Sequence, residues 1–566
     1  MVVGFVQVSQ RPRLSKSPFD LLRAARSSIY PLFMKKQKYL FYSFHKVAIL
    51  IESEKWCIIR KTSFKECVML NTFYKNFKSG TDIRGVAAEG VKGQEVNLTN
   101  EVVANMTNGF ALWLSEQVHK PVNELTVSVG RDSRISGPRI ISVVTETLKD
   151  AGVRVINCEL ASTPSMFMTT VDLGADGAVQ ITASHHPFNR NGLKFFTREG
   201  GLEGSDIEVI LEHAQNGDKP EKGEGVIENV DYMAQYKEHL KDIIRKGVNA
   251  ENYDKPLEGF RIVVDAGNGV GGFYAEVLED LGADTTGSRY LDPDGMFPNH
   301  VPNPENKEAM QSICEAVKES NADLGVIFDT DVDRGGAVDS SGNEINRNRL
   351  VALASAIALE GNDGGTIVTD SITSSGLKEF IEKDLGGKHY RYRRGYKNVI
   401  DKGLELNAQG INCPLAIETS GHAAMRENYF LDDGAYLCTK IIIKNACLVR
   451  EGKSIETLTA TLKEPKEETE IRFEITEEDF RACGERIIAE LTSYAEKKNG
   501  WILADDNREG VRVSFGENDG NGWFLLRLSV HDPIMPLNIE SDSEGGVEII
   551  KEKLYGFLRT VKGLKI

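Results

Sequence analysis

Leu125-Thr-Val-Ser-Val129 runs into Gly130-Arg-Asp-Ser-Arg134 and then into the helical stretch Pro138–Ala151. An apolar, β-branched run, a polar turn and a helical pattern make one strand–loop–helix step. The step recurs along the chain. Val153–Asn157 and Gly177–Thr182 read as further strands of the same unit. A second cycle starts at Arg261–Asp265, passes a glycine-rich turn into the helical Tyr274–Leu281, and returns through the strand Leu324–Phe328. A third runs from Gly365–Thr369 to Leu415–Ile417. Strands alternating with helices imply mainly parallel sheets with crossover helices. From about residue 465 the pattern changes. Glu468–Ile475, Val511–Phe515, Gly522–Leu528 and Leu537–Glu540 read as strands, with helices at Glu477–Lys498 and Glu544–Val561, which is a separate α+β domain. Asn216–Gly225, rich in Gly, Glu and Lys, reads as a linker.

The 566 residues suit several such domains, and 40% hydrophobic with 27% charged residues is ordinary for a globular chain. Basic residues number 68 and acidic 84, a net charge of -16. That balance disfavours general nucleic-acid binding but leaves room for an anion site where basic side chains converge. There is no run of eighteen apolar residues, so a membrane-spanning helix is not expected. The eight cysteines are scattered without a CxxC pair, which argues against a disulfide scaffold or zinc site and fits a reducing compartment. Residues 1–50 stand apart: nine Lys or Arg, one acid (Asp20), and Ser15, Ser17, Ser27 and Ser28 among the arginines. Few acids with many Arg and Ser is the composition of an organelle-import segment; the alternatives, with the protein cytoplasmic, are a plain unstructured extension or residues upstream of the true start.

Five segments carry chemistry. Thr182-Ala-Ser-His-His-Pro187 follows a strand, so Ser184 is presented on an ordered loop as a candidate nucleophile or phosphoryl carrier, with Lys194 a candidate proton donor or acceptor if its pKa is lowered. Asp329-Thr-Asp-Val-Asp-Arg334 follows another. Its three carboxylates at alternate positions repel one another unless a cation is present, and hard oxygen ligands suit Mg²⁺. Alternate residues of an extended chain are about 6.6 Å apart, so the loop must curl to hold an ion. An EF-hand is excluded because Arg334 and Ser340 stand where Gly and Glu are required. Gly267-Asn-Gly-Val-Gly-Gly272 satisfies a dinucleotide fingerprint but equally a tight strand-to-helix turn. Glu418-Thr-Ser-Gly-His422 groups a carboxylate, a hydroxyl and an imidazole suited to sugar hydroxyls and proton transfer. Arg527-Leu-Ser529 ends an apolar strand; the Arg can grip a phosphate and Ser529 add a hydroxyl, a strand-end salt bridge being the other reading.

In this order the segments resemble the α-D-phosphohexomutase superfamily, from about Ser79 to the C-terminus. Gly80-Thr-Asp-Ile-Arg-Gly85, Gly130–Gly137, Asp294-Gly-Met-Phe-Pro298 and Pro302-Asn-Pro-Glu305 also follow the family pattern. The resemblance implies three tandem α/β domains with mixed, mainly parallel sheets plus a C-terminal α+β domain around a central cleft. The divisions are an extension over 1–76, a phosphoserine domain over 77–228, a metal-binding domain over 229–343, a sugar-recognition domain over 344–463 and a phosphate-binding domain over 464–566. It implies a Mg-dependent mutase that moves a phosphoryl group between C1 and C6 of a hexose phosphate, glucose or mannose favoured, through phosphorylated Ser184 and a hexose 1,6-bisphosphate that also serves as activator. Ser184, Asp329, Asp331 and Asp333 would hold the metal. Arg84, His185, Lys194 and Arg334 would act in the transfer, in a cleft of basic character. Lys397, Glu418, Ser420, His422, Arg527 and Ser529 would bind the sugar phosphate, His422 also being a candidate acid or base, and the tail domain would rotate to close. The expected partners are small-molecule hexose phosphates, without nucleic acid or membrane, on a monomer or dimer.

The departures from the family pattern are specific. His186 stands where Asn is usual, and Arg394-Gly-Tyr-Lys397 lacks the usual Thr and Val. In the tail loop Val530, His531 and Asp532 replace Gly, Thr and Glu. That variant resembles a branch from photosynthetic organisms, which with the basic extension points to a plastid. Two other function classes compete: a haloacid-dehalogenase-type sugar phosphatase with Asp329 as nucleophile and Asp331 as acid, and a non-catalytic sugar-phosphate-binding homologue.

Overall fold

The computed structural model describes residues 69–529 and 532–566. The basic segment behind the import expectation and the substituted Val530 and His531 lie outside the described residues. Among the described residues no helix is long and apolar enough to cross a membrane.

The first sheet has its strands in the order Lys78–Ser79, Asp82–Val86, Arg190–Thr197, Gly177–Ile181, Thr126–Arg131, Arg154–Leu160 and Val226–Asn229, with Gly200–Gly201 turned back onto Arg190–Thr197. Thr126–Arg131 is parallel to both its neighbours, while Arg190–Thr197 is antiparallel on both sides. Val127, Val129, Val179 and Ile181 are buried in the core beneath the helices, each contributing about 1.5–3 kcal/mol. Val226–Asn229 pairs with Arg154–Leu160. Asn216–Gly225 therefore crosses over within this sheet and does not link two domains.

The second sheet is Glu344–Ile345, Gly335–Asp339, Leu324–Phe328 and Ile262–Asp265, and the third is Lys388–Arg391, Thr366–Thr369, Leu415–Ile417 and Ala423–Met425. One device recurs in all three. A strand with a parallel neighbour leads into a loop, and the chain returns as an antiparallel strand beside it: Gly177–Ile181 to Arg190–Thr197, Leu324–Phe328 to Gly335–Asp339, and Leu415–Ile417 to Ala423–Met425. The three loops so made carry Ser184, the three aspartates and Glu418–His422. The last sheet is antiparallel throughout, in the order Ile502–Leu503, Val511–Phe515, Gly522–Leu526, Ile534–Ser541, Glu467–Ile475 and Leu564–Lys565. It packs with the helices Phe480–Ala495 and Gly546–Leu558 around a core of its own.

The glycines of Gly267–Gly272 have a packing reason. A Cβ at Gly269 would lie 2.6 Å from the Thr330 carbonyl oxygen, and one at Gly272 2.1 Å from that of Leu291. The turn is flattened against the back of the aspartate loop, which is the tight-turn reading.

Candidate active site

Ser184 is carried on a buried arginine. Arg134 is fully buried; its guanidinium donates to the carbonyls of Pro187 (2.8 Å), Arg190 (3.0 Å), His186 (2.6 Å) and Ser184 itself. Asp132 balances the charge at 3.2 Å, and the Phe297 ring covers it at 5.2 Å. Burial, relieved only in part by Arg134, pushes the Asp132 carboxyl up to about 6. The Ser184 loop is thus wrapped around a planar cation that satisfies carbonyls no strand can reach. Ser184 takes a left-handed φ of 49°. Its Oγ donates to Asp329 Oδ2 at 3.0 Å and lies 3.3 Å from His185 Nδ1.

The aspartate loop curls, as the spacing requires. Val332 has φ 68°, strained for a β-branched residue. Its carbonyl is held by Gly434 N at 3.1 Å, and its own N–H donates to Asp329 O at 3.3 Å. Oxygens of Asp329, Asp331 and Asp333 all lie within 4.8 Å of one another, and all three side chains are buried. Burial and mutual repulsion hold Asp329 and Asp331 above the usual carboxylate range. Asp333 is the exception: burial raises it, but Lys194 Nζ at 2.6 Å, with His422 and Arg334, brings it well below that range. Asp331 Oδ1 and Asp333 Oδ1 are buried without a hydrogen-bond partner among the described residues. Orphaned anionic oxygens converging in one place are a donor set that fits a hard divalent cation. Thr163 of the first domain fixes Asp331 by its hydroxyl and by its N–H on the Asp331 carbonyl at 2.8 Å.

Around this centre the other expected residues fall as follows. Arg84 is paired with Asp82 at 3.0 Å. Burial, then the charges of Arg334 and Arg84 among others, holds the His185 imidazole neutral, and burial with Arg84 and Arg134 pushes His186 down to about 3. Burial alone would lower Lys194, but Asp333 and further acidic groups outweigh it and raise the ammonium well above its ordinary value. A depressed lysine was the condition for a base; here Lys194 is a charged donor. His422 is committed to the protein at both ring nitrogens. Nδ1 faces Asp432 Oδ2 at 2.6 Å and Nε2 accepts from Arg334 Nε at 2.8 Å. Burial lowers its pKa and Asp432 raises it above the ordinary value, yet the Arg334 donor requires a bare Nε2. In this arrangement His422 orients Arg334 and has no nitrogen left for a sugar.

Glu418 Oε1 accepts from Gly395 N at 2.5 Å and Oε2 from Ser420 Oγ at 3.3 Å. Arg394, in the same third-domain loop, reaches Glu305 at 3.2 Å, and Glu305 lies 4.0 Å from Arg334, so one carboxylate bridges two arginines. Lys397 is not part of the cluster. It is engaged by Glu203 and Asp401, and its neighbour Tyr396 contacts the site, stacked on His422 with centroids 5.2 Å apart. Arg527 is buried, its pKa lowered by burial, with Glu509, Arg394, Glu470 and Asp370 as its charged surroundings. Its Nε has no hydrogen-bond partner among the described residues, a donor set for an anion. Ser529 N donates to Ile534 O at 3.0 Å, and its Oγ accepts from Asp532 N at 3.3 Å. The site is therefore a lattice of alternating charges more than a basic cleft.

Arg134, Thr163, Glu305, Tyr396 and Asp432 were not singled out by the sequence reading. Arg134, Glu305 and Tyr396 lay within motifs of the family pattern without a role assigned to them; Thr163 and Asp432 left no signal. The phosphatase reading needs a free Asp329; here Ser184 Oγ and Arg334 N, the latter at 3.2 Å, both donate to it.

Known proteins resemble this chain in sequence and fold. Models of the phosphoglucomutase/phosphomannomutase alpha/beta/alpha domains I, II and III match residues 77–221, 234–342 and 346–464. A phosphomannomutase/phosphoglucomutase of Pseudomonas aeruginosa is 30% identical over 485 residues, 85% of this chain and 95% of its own. A phosphoglucomutase/phosphomannomutase of Thermococcus kodakarensis is 30% identical over 489 residues, 84% and 98% of the two chains. The crystal structure of a phosphoglucomutase/phosphomannomutase family protein from Burkholderia thailandensis aligns with a TM-score of 0.70 at 26% identity, over 86% of this chain and 97% of that one. With three domains matched in order and relatives aligned over nearly their whole length, the chain belongs to the phosphoglucomutase/phosphomannomutase family of phosphohexomutases.

Proposed function

We propose that the chain interconverts the 1- and 6-phosphates of a hexose, glucose or mannose favoured, with Ser184 as the phosphoryl carrier and hexose 1,6-bisphosphate as intermediate and activator. One observation supports this above the others: a serine hydroxyl 3.0 Å from an aspartate that shares a 4.8 Å cluster with two more. Phosphoryl transfer is mostly positioning and charge neutralisation. Asp329, Asp331 and Asp333, with an oxygen on Ser184, would hold Mg²⁺, which when bound supplies positive charge to the phosphoryl oxygens. Arg84 and Arg334 add fixed positive charge. As the sugar hydroxyl attacks, its oxygen bonds to phosphorus, the bond from phosphorus to Ser184 Oγ breaks, and one proton passes from the sugar hydroxyl to that oxygen. Neutral His185, 3.3 Å from Oγ, is the group placed to carry the proton, and the Lys194 ammonium steadies Asp333. Glu418 and Ser420 would hold sugar hydroxyls in both orientations, Arg527 and Ser529 the distal phosphate.

Purified chain incubated with a hexose 1,6-bisphosphate should gain the mass of one phosphoryl group, at Ser184. A panel of glucose, mannose, glucosamine and N-acetylglucosamine phosphates, with and without bisphosphate and Mg²⁺, identifies the sugar. Ser184→Ala should abolish both the mass gain and turnover. Turnover that survives the substitution overturns the mutase mechanism, and a wild-type chain that binds the sugars without isomerising any makes it a binding protein. The basic N-terminal segment supports plastid import, which a fluorescent fusion of residues 1–76 tests by its location.

A further inference from the structure

His300 stands at the head of His300-Val-Pro-Asn-Pro-Glu305, the segment whose last residue bridges Arg334 and Arg394. The ring is buried, and both its nitrogens face acceptors. Nε2 lies 3.0 Å from Asp265 Oδ1, and Nδ1 lies 3.1 Å from the Val301 carbonyl oxygen. A carbonyl only accepts, and so does an ionised carboxylate, so each nitrogen must carry a proton. Asp265 is held in place as the counter-ion: Gly267 N donates to Oδ1 at 2.9 Å and Ser312 Oγ to Oδ2 at 2.7 Å. Burial lowers the imidazole's pKa, but Asp265, the Val301 carbonyl and Glu308 outweigh it and hold the ring above its ordinary value. The Tyr290 ring meets it edge-on at 5.3 Å. Arg289, on the far side of Ser312 at 3.4 Å, is engaged by Glu319 at 2.7 Å and Glu315 at 3.5 Å.

The segment is stiff enough to transmit the ring's position. Pro302 and Pro304 are buried; each fixes its own φ near about −65° and drives the residue before it, Val301 or Asn303, to extended backbone. A Cβ at Gly267 would lie 2.8 Å from Pro302 and 3.1 Å from His300 Cε1, so the glycine turn is moulded to this stretch. Asn303 Oδ1 accepts from Glu305 N at 3.1 Å and from Arg334 at 3.4 Å, and Asn303 O accepts from Asn306 N at 2.9 Å. A displacement at His300 is therefore passed on to Asn303 and Glu305, the two groups of the segment that face Arg334.

We infer that His300, as an imidazolium paired with Asp265, is a positioning residue that sets Arg334 through Asn303 and Glu305. Loss of one ring proton leaves a bare nitrogen against the carbonyl or the carboxylate. The segment is then released at its head, and Arg334 loses its aim beside Asp329, from which its Nε lies 3.9 Å. This rests on the mutase reading and adds to it a proton, outside the reacting centre, on which the rate depends. Because folding raises the imidazole's pKa, the pair stabilises fully below the ordinary value of about 6.5 and is lost as pH rises through the raised one. Activity therefore falls on the alkaline side.

The test uses the full chain with nitrogen-15-labelled histidine, and its variants Asp265→Asn and His300→Asn. Measured from about pH 6 to 10 are the ring-nitrogen resonances, kcat, the bisphosphate concentration for half activation, hydrogen exchange of residues 300–306 and the melting temperature. At pH 7 both His300 nitrogens should be protonated. The ring should lose its proton at the pH where kcat falls and where the Glu305 and Asn306 amides lose protection. Asp265→Asn should move all three to lower pH by about 1–2 units. His300→Asn should lower kcat about 10-fold at pH 7, remove that alkaline fall and leave the bisphosphate requirement nearly unchanged. A neutral ring at pH 7, a ring titration that kcat does not follow, or an Asp265→Asn chain in which the ring moves and the rate does not overturns the inference. Loss of activity only in step with loss of folded protein overturns it too. Should either variant fail to fold, the coincidence of ring titration and rate in the wild-type chain decides. A wild-type chain without turnover sinks the underlying mutase reading instead, and exchange of residues 300–306 against the ring titration then decides whether His300 sets the segment.

Discussion

The two ends of the site carry opposite defects of charge. At the Ser184 end three buried carboxylates face Lys194 and Arg334, and two of their oxygens have no hydrogen-bond partner among the described residues. At the Arg527 end a buried guanidinium has a nitrogen without a hydrogen-bond partner among the described residues. One end has orphaned acceptors and the other an orphaned donor. Most buried polar groups in folded proteins are matched, and these mismatches lie where a cation beside the serine and a phosphate beside the arginine would satisfy them under the proposed function. The ends also differ in rigidity. The Ser184 loop is tied to a buried arginine by four carbonyls, whereas Arg527 sits in a domain docked on the third by side chains. Arg512 donates to the carbonyls of Ser371 and Thr373 at 3.0 Å each, and Asp506 pairs with Arg391 at 2.8 Å. Any rotation of that domain would break these contacts.

The sharpest way to break the comparison is at the aspartates. Asp331→Asn and Asp333→Asn should each cost about 10³-fold in turnover or more, as loss of preorganised charge at a transfer site does. Their stabilities should diverge. Asp331 is held above the usual range by burial and by Asp333, so a neutral isostere relieves repulsion, and the chelator-treated variant should melt higher than wild type. Asp333 is the counter-ion of buried Lys194, and its loss should lower stability by about 3–5 kcal/mol. If both shift melting in the same direction, the account of which carboxylate bears the excess charge fails.

Next in size is the cradle. Arg134→Lys keeps the charge but not the planar fork that serves four carbonyls and Asp132. Each buried carbonyl left without its donor costs about 1–3 kcal/mol, and the Ser184 loop should lose protection in hydrogen exchange before the rest of the first domain. An unchanged loop would mean that the backbone at Ser184 holds its shape without the arginine.

How far the sequence carries differs between these regions for a physical reason. The three site loops were legible because each follows an apolar strand directly, and a run of polar residues there has no other role in a sheet. What the sequence left hidden are pairings across 88 to 315 residues: Thr163 with Asp331, Arg334 with His422, Tyr396 with Thr81. Local patterning says nothing about these partners. Lys397 shows the limit of resemblance. The loop lies at the site, but the side chain that meets the other site residues is one position earlier, because at the helix start Tyr396 meets His422 and Lys194 while Lys397 meets Glu203 and Asp401. Lys194 was read as an adjustable base because its partner Asp333 lies 139 residues away.

At the other end, Arg527→Ala should lower kcat/KM about 100-fold, the range for a charge-assisted contact to phosphate. Phosphorylation of Ser184 by bisphosphate should be affected less. Equal loss in both steps would place Arg527 in the transfer itself and erase the distinction between the ends.

The smallest effect is a pH dependence at the docking surface of the tail domain. Asp370 is pushed up to about 7 by burial and the nearby Glu418, and Glu540 to about 7 by burial against the pull of Arg512. In the unfolded chain both titrate near 4. Between about pH 4 and 7 the folded protein therefore binds more protons than the unfolded chain, and its stability falls as pH rises. The contribution is complete below the unfolded value and lost above the folded one. Melting temperatures of the full chain at constant Mg²⁺ should decline from pH 5 to 8, and Asp370→Asn with Glu540→Gln should flatten the decline. Asp333, held low by Lys194, contributes with the opposite sign only in strong acid, outside this window. A slope unchanged in the double variant would show that the two carboxyls are ionised at neutral pH and that Arg512, Arg391 and Arg394 compensate them fully.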